Sequence, residues 1–171
     1  MLELNEYDNA ISRFSSSIKT NAMPLISWDI YCDFLSNFSG NLIDSKKLQT
    51  ISFENQWDWS LDFQKELDEE TVIVVTDPKL RIVFSSQNMI KMNGYKQNEV
   101  IGMSPKMFQG KDTSEKTSQK ISKAVRLLQP FEEIILNYRK NGEPYKCLIK
   151  GYPIFNGKGV LTNYIALEKS A

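Results

Sequence analysis

Histidine is absent from the 171 residues. That absence removes a Ser-His-Asp or Cys-His nucleophile system, the commonest zinc-ligand patterns, a His-ligated haem and a phospho-accepting histidine. Cysteine is scarce: Cys32 and Cys147 stand far apart with no CxxC spacing. Neither a metal cluster nor a disulfide framework is signalled, and two buried thiols in a reducing compartment are expected. Net charge is missing as well, because 21 Lys and Arg balance 21 Asp and Glu. No field draws the chain to nucleic acid or to an anionic membrane. No apolar run approaches the roughly 20 residues that span a bilayer. The opening Met1-Leu2-Glu3-Leu4-Asn5-Glu6 is acidic and is not a secretory signal. A phosphate-binding glycine loop and a nucleophile–base pair are also lacking, so catalysis is not expected. The expectation is a cytoplasmic, non-enzymatic protein with no nucleic-acid or membrane partner.

What is present is a core. Hydrophobic residues make up 41% and aromatics 11%, enough for one domain of roughly 100–150 residues plus an extension. The acidic step Asp68-Glu69-Glu70 precedes the apolar run Thr71-Val72-Ile73-Val74-Val75 and suggests a division into residues 1–70, an N-terminal helical cap, and residues 71–169. In the first part Leu4, Tyr7, Ile11, Phe14 and Ile18 recur at helical spacing. A second helix is predicted over residues 26–38, on Ile30, Tyr31, Phe34, Leu35 and Phe38. Beyond it, Phe53, Trp57, Trp59 and Phe63 read as anchors of a connecting segment, with a further helix over residues 59–67.

The second part is sharper. Residues 72–76 and 81–84 read as strands joined through the turn dipeptide Asp77-Pro78. Helical turns follow over residues 86–92 and 97–101. Asp112-Thr113-Ser114-Glu115 has capping-box spacing ahead of a helix faced by Ile121, Ala124, Val125 and Leu128. Residues 134–139 and 145–150 flank Asn141-Gly142, a hairpin signal, and Asn156-Gly157-Lys158-Gly159 turns the chain into a last strand over residues 160–167. These elements make an α+β domain.

Along the last three strands one face carries Ile134, Leu136, Tyr138, Leu148, Tyr152, Leu161, Ile165 and Leu167. The other carries Ile135, Asn137, Cys147, Ile149, Phe155, Val160, Tyr164 and Glu168. A sheet wet on one side would show one polar set. Neither set is polar, so both faces should be covered, the outer one by the N-terminal helices or a second subunit.

Several segments in order, Thr76-Asp77-Pro78, Gly94-Tyr95, Glu99-Val100-Ile101-Gly102, Phe108-Gln109-Gly110, Asn137-Tyr138 and Asn141-Gly142, resemble a PAS domain. Within that superfamily they look most like the light-oxygen-voltage (LOV) branch. The resemblance implies a PAS fold: a five-stranded antiparallel sheet with short helices on one face, enclosing a pocket. In LOV photoreceptors the pocket holds a flavin, and a loop cysteine forms a light-driven adduct. Here the matching position is Pro105, preceded by Ser104 and followed by Lys106, where the family has an arginine for the flavin phosphate. Lysine keeps the charge without the bidentate fork. Gln109 and Asn137 match flavin-binding amides; the second asparagine falls on Cys147, and the glutamine of the last strand on Glu168. The candidate pocket residues carried over are therefore Lys106, Gln109, Asn137, Cys147 and Glu168.

Adduct photochemistry is not expected, and neither is a resident cofactor; non-covalent flavin is the remaining cofactor alternative. The expected function is sensing or regulation in signal transduction through ligand binding, protein–protein interaction or both, with a pocket that takes a small apolar metabolite or is filled by Met107, Phe108, Ile149 and Phe155. The alternative is a pure interaction module in which the covered sheet face is a homodimer or heteromer interface and nothing binds inside. A homodimer through the outer sheet face and the N-terminal helix is expected. With no kinase, cyclase or helix-turn-helix pattern after Leu167, output would reside in a separate signalling partner if Ala171 is the true end.

Overall fold

The computed structural model describes the backbone of residues 25–58 and 70–171, and side chains from residue 40 onward within those spans. The Leu4–Ile18 stripe and the helix expected over residues 59–67 lie outside the described residues. The chain forms two compact units, Met1–Ser36 and Asn37–Ala171. All that follows concerns the second, apart from the first turns of helix α1 (Leu25–Glu54).

The helix expected to end at Phe38 runs on to Glu54. Gly40 does not stop it, because one interior glycine costs only about 1 kcal/mol and tertiary packing outweighs propensity. Leu48 is fully buried, and Ile51, three residues on, packs against the same cluster. Asp44 accepts a hydrogen bond from the Gln87 backbone N–H at 2.6 Å and one from Gln97 Nε2 at 3.1 Å. The carboxylate thus latches α1 to the segment following the second strand. Burial, opposed by those hydrogen bonds, raises its pKa above the ordinary value.

The sheet has five antiparallel strands: β1 (Val72–Thr76), β2 (Ile82–Ser85), β3 (Phe131–Tyr138), β4 (Pro144–Phe155) and β5 (Leu161–Ser170), in the order β2-β1-β5-β4-β3. β1 matches the expected span; β3, β4 and β5 run further than their apolar cores, since Glu132, Lys146 and Lys169 pair through backbone regardless of side chain. The β1–β2 turn is held by Asp77 Oδ1, which accepts from the N–H groups of Lys79 (2.8 Å) and Arg81 (2.9 Å).

Between β2 and β3 lie α2 (Met89–Asn93), α3 (Gln97–Val100), a 3-10 turn (Pro105–Phe108) and α4 (Glu115–Arg126). Gly94 ends α2 at φ +81°, a left-handed cap in which glycine avoids a Cβ clash. The capping box expected from Asp112 is displaced: Ser114 is the N-cap of α4, accepting from Thr117 N–H at 3.2 Å. Asp112 is engaged elsewhere, by the Tyr138 hydroxyl at 2.7 Å.

Two clusters sandwich the sheet. On the inner face, Val72, Val74, Met89, Val100, Phe108, Ile135 and Cys147 pack beneath the short helices. On the outer face, Ile73, Val75, Ile154 and Ile165 meet Leu48, Ile51 and Trp57. Trp57 Nε1 donates to Asn163 Oδ1 at 2.8 Å, and Asp58 N–H donates to Phe155 O at 2.8 Å. The expectation that the N-terminal part covers the outer face therefore holds for residues 48–57. Of the two described aromatics read as anchors, Trp57 is one and Phe53, 86% exposed, is not.

Leu48→Ala should lower the unfolding free energy by about 2–5 kcal/mol, whereas Phe53→Ala should change it by less than about 0.5 kcal/mol. Urea denaturation of the two variants checks this; equal, small effects would remove α1 from the core.

Candidate functional site

A cavity of about 260 Å³ lies between the inner sheet face, the 3-10 turn and α4. Its floor is alternate residues of four strands: Val74 and Thr76 of β1, Ala166 and Glu168 of β5, Ile149 and Gly151 of β4, Ile135 and Asn137 of β3. Alternation puts these on one face because successive strand side chains point to opposite sides. The roof is Ile121, Ser122 and Val125 of α4. No residue of α4 is fully buried, so this amphipathic helix lies over the space without filling it. Tyr164 of β5 ties floor to roof, its hydroxyl donating to Val125 O at 3.0 Å.

The loop wall is built by local chemistry. Pro105 starts the 3-10 turn, with Ser104 as N-cap. Gly110 is required by the Tyr138 ring, since a Cβ there would collide with it. Thr113 Oγ1 donates to Leu136 O at 2.7 Å and fastens the loop to β3. The motif pairs Gln109-Gly110 and Asn137-Tyr138 are thus the two halves of one contact.

Four of the five candidate residues line the cavity: Lys106, Gln109, Asn137 and Glu168. Lys106 is exposed at the rim together with Arg126, while Asn137 and Glu168 are each 3% exposed. Gln109 Oε1 accepts from Ser118 Oγ at 3.4 Å. Cys147 is the exception. It is fully buried in the inner core and absent from the cavity wall, its thiol 3.8 Å from Glu168 Oε2. Burial first, then the neighbouring carboxyl, pushes that thiol far above its ordinary pKa, so it is no nucleophile. Tyr145 is pushed up likewise, by burial and then by Cys147 and Glu168.

Two features escaped the sequence reading. Thr76 Oγ1 is buried at the cavity without a hydrogen-bond partner. Arg126 reaches the rim from the last turn of α4. The helix period could have placed Arg126 beside Ser122; nothing local could have exposed the threonine. Of the pocket-filling candidates, Phe108 and Ile149 line the cavity, Met107 packs against the core, and Phe155 is in neither place.

The PAS domain family profile matches residues 69–169, and the chain belongs to that family. Its resemblance within the family is to LOV domains. It is 36% identical to Protein TWIN LOV 1 of Arabidopsis thaliana over 64% of this chain and 28% of that one. It is 32% identical to Phototropin-2 of Oryza sativa subsp. japonica over 58% of this chain and 11% of that one. A LOV domain solved in a study of a flavin analogue superposes with a TM-score of 0.61 at 26% identity, covering 67% of this chain and 86% of that one. The match spans less than a third of the length of either relative. PAS membership with LOV similarity marks a sensory, signal-transducing module.

The resemblance to LOV domains implies a flavin in such a cavity, and the donor set tests it. Pro105 brings no thiol to the wall, and Cys147 lies outside it. A buried carboxyl stands at Glu168, which lacks the paired N–H donor and C=O acceptor of an amide. The volume of about 260 Å³ lies under the usual range of roughly 300–1,000 Å³ for small-molecule sites. These residues do not fit a flavin, and no step through one is derived.

Burial pushes Glu168 up to about 7 from an ordinary 4.5. The folded chain holds this proton more tightly than the unfolded chain. The resulting stabilisation is complete below about 4.5 and is lost as pH rises through about 7, a contribution on the order of 3 kcal/mol. Asp44 is shifted the same way and Glu99 the opposite way, so the difference between wild type and Glu168→Gln isolates the effect. That difference should grow in favour of the variant from pH 5 to pH 8 and then flatten. Denaturant unfolding across that range measures it, and a flat difference would mean that Glu168 stays ionised.

Proposed function

We propose that the chain is a PAS-type sensory module without catalysis of its own, which takes a small, largely apolar ligand into the cavity and relays its presence to α1. One observation carries this reading: the same strand meets both. On β5, Ala166 and Glu168 line the cavity, Leu167 packs with Leu48 and Ile51 of α1, and Ile165 belongs to both. A ligand that shifts the floor by a few tenths of an ångström changes the seat of the helix, because packed layers switch between discrete arrangements. The effect is a population shift limited by the ligand's preference for one packing. Output to a separate signalling protein in a reducing, cytoplasmic setting completes the proposal.

The test is denaturing mass spectrometry and an absorption spectrum of the freshly purified full chain. A co-purifying small molecule should appear with wild type and disappear with Ala166→Phe, which fills the cavity. Hydrogen exchange over residues 40–54 should slow when ligand is present. A colourless, ligand-free protein with identical exchange in both forms would favour the pure interaction module.

Self-association is a second proposal, motivated by the edge strand β3. Ile134 there is 54% exposed, beside the Glu132–Lys150 ion pair at 3.3 Å. A second copy pairing through this part of the outer face should dimerise the wild type, and Ile134→Lys should return it to monomer. Light scattering over a micromolar concentration series decides, and a wild-type monomer throughout would end the idea.

A further inference from the structure

Glu168 is the least compensated charge-bearing group in the described structure. It sits at the centre of the sheet, opposite Val72 of β1 and Ile149 of β4. It is 3% exposed and lines the cavity. A carboxylate has about four acceptor sites, and its hydrogen-bonding partner here is one thiol, 3.8 Å from Oε2. A thiol is a weak donor. Burying an ionisable group without a counter-charge costs desolvation of the charge or uptake of a proton to cancel it, so an interior that keeps one has a use for it.

The surroundings narrow that use. From β4, Cys147 and Tyr145 face the carboxyl, both held neutral by burial. From β3 comes the neutral amide of Asn137, and from β1 the apolar Val72 and Val74. The loop contributes Gln109, and α4 contributes Ser118, Ser122 and Ile121. The cationic side chains of the wall, Lys106 and Arg126, stand at the exposed rim. The buried end thus holds a carboxyl with spare acceptor capacity beside the amides of Asn137 and Gln109, and Phe108, Ile135 and Ile149 line the same cavity.

We infer that the cavity binds a small, mainly apolar organic cation, an amine or amidine. Its N–H groups donate to the Glu168 carboxylate, and its hydrocarbon body lies against Phe108, Ile135 and Ile149. An amidinium presents two parallel N–H groups to the two carboxylate oxygens, the geometry in which charge-assisted pairs are strongest. The site thereby differs in kind from one that must satisfy the acceptor atoms of a flavin ring. This inference rests on the reading of the cavity as the ligand site.

It carries a pH signature. Burial keeps Glu168 protonated at mildly acid pH, so binding a cation expels that proton. Affinity should then rise by about tenfold per pH unit below neutrality and level off above it.

The experiment is titration calorimetry of the full chain with benzamidine, benzamide, benzoate and flavin mononucleotide at pH 6, 7 and 8. Wild type should bind benzamidine increasingly well with pH, at least tenfold more tightly than benzamide or benzoate. Glu168→Gln, whose folding is verified by its melting curve, should lose that preference. Ala166→Phe, which blocks the cavity and leaves the carboxylate, should lose binding altogether. Benzamidine bound equally by wild type and Glu168→Gln, or retained by Ala166→Phe, overturns the inference. Benzamide bound as well as benzamidine, or flavin mononucleotide bound more tightly, overturns the cation while leaving the cavity as a ligand site. Failure of every probe, with no molecule co-purifying, overturns both readings.

Discussion

Everything in this domain depends on inner strands that are buried on both faces. β1 is the plainest case, with all five residues from Val72 to Thr76 buried. Alternate residues of β1 and β5 look into two different clusters, one under the short helices and one under α1. Burying apolar surface at roughly 25 cal/mol per Å² favours each layer separately, but the layers share one backbone. The inner layer cannot be disturbed without moving the strands on which the outer layer rests. A sensory domain needs such a coupling, and here it comes from the period of the strand.

The inner layer is incompletely packed, and its polar groups are placed accordingly. Where side chains fill the space, at Met89 and Val100, the core is apolar and closed. Where they do not, Thr76, Asn137 and Glu168 turn inward. Asp44 and Glu168 make an instructive pair, since burial raises the pKa of both. Asp44 has hydrogen bonds from Gln87 and Gln97 and reads as a structural latch. Among the described residues Glu168 has only a thiol, which leaves its acceptor capacity free toward the cavity.

Membership of the PAS family and similarity to LOV domains come with a departure at the site itself. The loop motif is intact as architecture: Gly110 still admits the Tyr138 ring, and Thr113 still fastens the loop to β3. The groups that would do flavin chemistry are replaced, with Pro105 on the loop and Glu168 on β5. Scaffold and chemistry have separated, as they do when one fold serves many ligands.

Local chemistry made much of the fold legible in the sequence. The Asp77-Pro78 turn, the Asn141-Gly142 hairpin, the β1 run and the two-faced apolar strands depend on neighbouring residues and on a period of two, both visible in one dimension. Lys106, Gln109, Asn137 and Glu168 were readable because a motif fixes their order along the chain. What tertiary structure alone decided was which groups are compensated. Whether helix α1 stops at Phe38 or continues depends on Leu48 meeting Ile73 and Ile165, far along the chain. Whether Cys147 faces the cavity or the core, and whether Thr76 and Glu168 find partners, depends on strands and helices brought together from distant segments. Periods, turns and donor types are written along the chain; the free energy of a buried polar group is set by its neighbours in space, and only the folded chain supplies those.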